Sequence, residues 1–148
     1  MSFSSRLQQL LAAMWAGMLL AVGGVAAPSL FAVLERSLAG QAAGRIFAME
    51  AYISLVMAMA LFFFERQRTR QAALQAGQSL MSAELMLVMG ALFATVLGHF
   101  ALSPMIVAAK AGQGGSLSFG TLHAMSSSLF LFKGVLVLAL AWRLTGRR

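Results

Sequence analysis

Four apolar runs set the plan of the chain, at residues 7–27, 46–64, 83–102 and 121–142. Each is long enough, at about 1.5 Å of rise per helical residue, to cross most or all of a hydrocarbon layer about 30 Å thick. The expected fold is therefore all-α, a single integral membrane domain over 1–148 built as a four-helix bundle. Residues 28–45 break the pattern. Leu30, Phe31, Val33, Leu34 and Leu38 are too apolar for an ordinary loop, while Glu35, Arg36 and Arg45 are too charged to cross. Each charge at mid-depth costs about 2.5–3.5 kcal/mol on insertion scales. This stretch is expected to be an amphipathic outer segment, lying along the surface between spans 1 and 2.

Small residues recur at every fourth position in two spans, as Ala13, Gly17 and Ala21 and as Gly90, Ala94 and Gly98. Such stripes let helices approach closely, and both are expected to face bundle partners. Between spans 2 and 3, ERQRTRQ places Arg66, Arg68 and Arg70 together, and residues 71–82 form a short connector. The glycine-rich run AAKAGQGGSLSFG before span 4 reads as a flexible loop.

Composition agrees with lipid as the solvent, since 60% of the residues are hydrophobic and only 10% charged, against about a quarter charged in soluble domains. Net charge is +7. The basic residues flank apolar runs, so anionic lipid is the expected counter-charge rather than nucleic acid. Cysteine is absent, which excludes disulfides, thiolate metal sites and cysteine nucleophiles. Arg6, Arg66, Arg68, Arg70, Arg143, Arg147 and Arg148 gather on one side of the bilayer, and Arg36, Arg45 and Lys110 on the other. The richer side is expected to be cytoplasmic, with both termini there.

That orientation brings polar groups to one level near the outer face. Arg45 precedes span 2, Glu50 lies about a turn inside it, His99 nears the end of span 3 and His123 opens span 4. Arg45 and Glu50 are too far apart around a helix to pair. Glu50 should find its partner on another helix, with His99 and His123 as candidates and Tyr52 nearby. On span 4, His123, Ser126, Ser127, Phe130 and Lys133 share a broad face. Lys133 is the deepest formal charge. It serves either as a charge on a substrate or proton path, or as an interfacial group whose stem snorkels outward, with Glu84 as counter-ion in the second case. For the outer groups, simple solvation by water and head groups competes with a polar pocket.

Two histidines in a bundle also raise a haem or metal reading through His123 and His99, and eleven methionines raise copper. No Glu-x-x-His pair accompanies the histidines, Met57 and Met59 diverge on a helix, and methionine serves widely as packing. No catalytic triad, phosphate loop or nucleic-acid module is visible.

APSLF at 27–31, AGQAAGRIF at 39–47 with Glu50, and FGTLHAMSSSLFL at 119–131 resemble the transmembrane protein 205-like family, in its bacterial domain of unknown function 4149. The resemblance covers most of the chain. It implies a four-span domain in a bacterial inner membrane and marks Pro28, Phe31, Gly44, Arg45, Phe47, Glu50, Pro104, His123 and Ser127; His99 has no counterpart. A remoter architectural likeness, to copper-resistance and haem-pathway membrane proteins, keeps the cofactor reading open. Three functions follow as expectations. The first is a non-enzymatic protein that binds or passes a small polar ligand or ion through an outward-facing pocket of Arg45, Glu50, His123, Ser127 and Lys133, or an accessory subunit. The second is a haem or metal redox protein. The third is a structural partner. A homo-oligomer or a membrane-protein partner fits a chain with so few spans.

Overall fold

A computed structural model describes residues 3–146 other than Gln78 and Gly114; Arg147 and Arg148, used above for orientation, lie outside the described residues. No strand occurs among them. Four continuous helical stretches are long and apolar enough to cross a membrane: Phe3–Val33, Arg36–Ala76, Ala83–Lys110 and Phe119–Thr145. They contain the four apolar runs.

Two of these stretches are interrupted by a wide turn. The first comprises α1 (Phe3–Ala21), a π-helical turn (Val22–Ala26) and α2 (Ala27–Val33). The third comprises α4 (Ala83–Val96), a π-helical turn (Leu97–Leu102) and α5 (Ser103–Lys110). Both wide turns come just before a proline, Pro28 or Pro104. A proline has no N–H to donate, and its ring crowds the carbonyl four residues back. Widening the helix at that carbonyl, Gly24 or Phe100, accommodates the ring without breaking the span. The second stretch is α3 (Arg36–Ala76) and the fourth is α6 (Phe119–Thr145), both uninterrupted.

Residues 28–45 do not form a separate element. They are shared between the end of the first helical stretch and the beginning of α3, with only Leu34 and Glu35 between them. Glu35 stands in the break before α3, whereas Arg36 and Arg45 lie within that helix with exposed side chains. Gly77 ends α3 in a left-handed conformation (φ 61°) that favours glycine. Ser82 and Ser118 start α4 and α6 by accepting hydrogen bonds from the N–H groups of Leu85 and Thr121, each at 3.1 Å.

The spans pack in a ring, each against its two neighbours in sequence, with span 4 closing against span 1. Spans 2 and 4 are therefore diagonal, and neighbours are antiparallel. At the end where α1 begins and α6 finishes, Gln9 donates to the Leu144 carbonyl at 2.9 Å and Arg143 meets Glu84 at 2.9 Å. We call this the terminal end, and the opposite one the far end. The core contains Ala12, Trp15, Leu19, Ala58, Leu61, Val88, Ala91, Val137, Leu140 and Leu144.

The small-residue stripes divide. On span 3, Ala94 is buried, and a Cβ on Gly90 would come within 2.9 Å of Leu136. On span 1, Ala13, Gly17 and Ala21 are exposed, contrary to expectation. The same helix turns its bulkier Trp15 and Leu19 inward, which bury more apolar surface.

The ring also carries an internal repeat. Counted from Pro28 and Pro104, Gln8 matches Glu84, Ala12 matches Val88, Trp15 matches Ala91 and Leu19 matches Thr95, and every one of these is buried. Counted from the first residues of α3 and α6, Ala39 matches Leu122, Glu50 matches Lys133, Ser54 matches Val137 and Leu61 matches Leu144, again all buried. The two hairpins thus repeat one pattern of buried positions, with an offset of 76 residues for the first helix of each and 83 for the second.

Candidate functional site: an acid–base pair across the bundle

Glu50 and Lys133 meet across the diagonal. The Lys133 Nζ lies 2.7 Å from Glu50 Oε1 and 2.9 Å from Oε2, with both residues only 4% exposed. Ser54, one turn further along α3, donates its hydroxyl to Glu50 Oε1. Trp15 of α1 in turn donates its indole N–H to Ser54 Oγ at 2.8 Å. Every buried side-chain nitrogen and oxygen among the described residues is hydrogen-bonded, as a low-dielectric interior demands. Helical spacing explains the convergence, since Glu50 and Ser54 are four apart on one face of α3.

Aromatic rings lie on the far-end side of the pair. Phe47 and Phe130, each one turn before the charged residue of its own helix, meet edge to face with centroids 5.2 Å apart and planes at 84°. The Lys133 ammonium sits 5.1 Å from the Phe130 ring centroid, close enough for a cation–π attraction. On the terminal side the apolar core follows directly. At 1.5 Å per residue, Glu50 lies about 22 Å from the level of Glu65 and about 7 Å from that of Arg45. Counted along α6, Lys133 lies 14 residues after Phe119 and 12 before Thr145, so the pair is buried near the middle of the bundle, with Ala39, Ala43 and Leu122 also buried on its far-end side.

The expected site residues separate here. Glu50 and Lys133 come together, whereas Arg45, His123 and Ser127 are exposed on the outside of the bundle. Neither histidine supplies the partner expected for Glu50. His99 packs edge-on against Tyr52 (4.9 Å) and Phe100 (4.9 Å), and His123 stacks on Phe119 at 5.8 Å. Lys133 does not use Glu84 as counter-ion. Glu84 sits at the terminal end, where it meets Arg143 at 2.9 Å and Arg68 at 3.6 Å, and Arg68 also contacts the fully buried Glu65 at 3.1 Å. The reason is level: Lys133 stands as far into α6 as Glu50 does into α3, a full bundle half away from Glu84. Ser54 and Trp15 were not foreseen as site residues. The internal repeat is the signal that finds the pair, because it places Glu50 and Lys133 in matching positions.

Among the described residues no three His, Asp or Glu side chains gather as a metal-ligand set. A shallow groove of about 570 Å³ is lined by Tyr52, His99, Phe100, Ser103 and Pro104, among others, but by neither Glu50 nor Lys133.

Residues 10–114 match the family model described as Domain of unknown function (DUF4149). The chain belongs to this family. The matched stretch includes Trp15, Phe47, Glu50 and Ser54 and ends before α6, so Lys133 lies beyond it. No curated protein and no solved structure matches the chain.

Proposed function

We propose that this DUF4149 member is a non-enzymatic, multi-pass protein of a bacterial inner membrane, with both termini cytoplasmic, that binds a small polar ligand or ion at the Glu50–Lys133 pair. One observation carries the reading: two full charges, of opposite sign and supplied by diagonal helices, are buried in a lipid-embedded bundle. Ionisable groups at such depth are expensive, and they commonly mark ligand or ion sites. As scaffolding the pair is a poor choice, because well-packed apolar residues often stabilise an interior as well or better.

The geometry favours binding from the far end, the outward side in this reading, over passage through the molecule. The large apolar cluster of Ala58, Leu61, Val137, Leu140 and Leu144 lies on the terminal side of the pair, whereas fewer buried residues, Ala39, Ala43 and Leu122 among them, stand on its far-end side. Arg45, His123 and Ser127 are the proposed polar approach at the bundle's outer rim. The exposed stripe of Ala13, Gly17 and Ala21 is the proposed contact for a second copy or a membrane partner. The wider kinship with the transmembrane protein 205-like group belongs to this proposal and rests on the short motifs at 27–31, 39–47 and 119–131.

The test compares E50Q, K133M and the reversed pair E50K/K133E for thermal-shift responses to a panel of amino acids, small organic acids and inorganic ions. Loss of a wild-type response in both single variants is expected. An unchanged response in both would discard the reading.

A further inference from the structure

We propose that Phe47 and Phe130 form the gate between the polar rim and the Glu50–Lys133 pair; this rests on the reading that a ligand reaches that pair from the far end. Both rings stand one turn outward of the charges, directly on their far-end side, opposite the main apolar cluster. They are matching residues of the two hairpins, as Glu50 and Lys133 are, and each matching pair is in contact. This aromatic layer stands about 4–5 Å of helix rise outward of the charges, with the small Ala43 and Ala39 and then Leu122 buried beyond it.

The seat of the gate is built into the first wide turn. An added Cβ on Gly23 would lie 2.5 Å from Phe130 Cε1 and 3.3 Å from Cζ. Phe130 can take its place only because that residue is glycine, and any larger side chain there must displace the ring. Phe47 and Phe130 are half-buried, unlike the fully enclosed Trp15 beneath them. Phe130 packs on the edge of the main core whereas Phe47 does not, so an outward swing of Phe47 disturbs less packing, as in a low-energy local opening. Closed, the rings keep water from the pair and hold one edge of the Lys133 ammonium. Open, they expose a carboxylate and an ammonium to the rim.

The natural absence of cysteine makes the gate directly measurable. A single S54C substitution places a thiol behind the rings, and S37C supplies an exposed reference position. Full-length protein in lipid nanodiscs is treated with a cationic, water-soluble methanethiosulfonate reagent, and modification is followed by mass. S54C is expected to react far more slowly than S37C. Adding F47A/F130A should raise its rate by about tenfold or more, equivalent to about 1.4 kcal/mol of opening free energy. G23A should raise the rate by a smaller factor. F47L/F130L keeps most of the bulk, and its expected intermediate rate provides the reading should the alanine pair fail to fold by size-exclusion profile. S54C reacting as fast as S37C with both rings present, or unaffected by the leucine pair and G23A alike, would overturn the gate. Because thiol modification needs no ligand, the outcomes separate: loss of ligand response in E50Q with flat S54C rates removes the gate and keeps the binding site. Graded S54C rates with an unaltered ligand response in E50Q and K133M do the reverse.

Discussion

The two hairpins share a plan and differ in what they put at its centre. Each has a first helix widened before a proline and a second, uninterrupted helix carrying a buried charge at the same register. In the first hairpin that charge is Glu50, with Ser54 one turn below and Trp15 facing it; in the second it is Lys133, with Val137 below and Ala91 at the position matching Trp15. The polar relay therefore belongs to the first hairpin; the second contributes the cation, and its buried Thr95 hydroxyl donates to the Ala91 carbonyl of its own helix. Glu50 and Lys133, at matching positions, face one another across the bundle. Two like charges there would repel strongly in a low dielectric, whereas opposite charges attract. The difference at this one position makes a repeated hairpin self-complementary.

The largest expected effect comes from removing one charge. K133A or E50A leaves its partner buried and unpaired, and should destabilise the protein by about 3–5 kcal/mol, measured by thermal or denaturant unfolding in detergent. E50L/K133L should recover most of that stability while remaining silent to ligand, and E50K/K133E should recover part of it. Failure of the reversed pair to recover anything over the single variants would show that the two positions are not interchangeable. Next, W15F removes the indole donor to Ser54 while keeping an aromatic ring, and should cost about 1–3 kcal/mol by leaving a buried hydroxyl short of a partner; the matching A91S, on the second hairpin, should leave the Glu50 relay intact. The smallest effect is expected from R143A. Its contact with Glu84 is half-exposed, and such pairs contribute about 0.2–1 kcal/mol. A loss well above that range would mean that the terminal-end cluster, not the central pair, holds the hairpins together.

Spans and their order were legible from the apolar runs alone, since length and hydropathy leave few alternatives in a bilayer. Helix ends were less so. Glu35, Arg36 and Arg45 read as a surface segment because charge is normally a sign of the interface, yet α3 begins at Arg36 and carries Arg45 on its exposed side. That misplaced start hid the central pair. Measured from the edge of the apolar run at residue 46, Glu50 is shallow and Lys133 deep; measured from the true helix starts, they are level. The histidines were drawn to Glu50 by depth, but depth does not fix the direction around a helix. His123 stacks with Phe119 at the opening turn of α6 instead.

One dimension of α3 has a mechanical consequence. The helix runs unbroken from Arg36 to Ala76, about 60 Å at 1.5 Å per residue and so roughly twice the hydrocarbon thickness. From Glu50 to its last residue is about 39 Å of rigid rod. A tilt of about 5° pivoting at Glu50 would therefore sweep Ala76 through about 3 Å. Such a tilt would carry with it the stretch beyond Glu65, where Arg66 and Arg70 are exposed and Arg68 reaches back to Glu65 and Glu84.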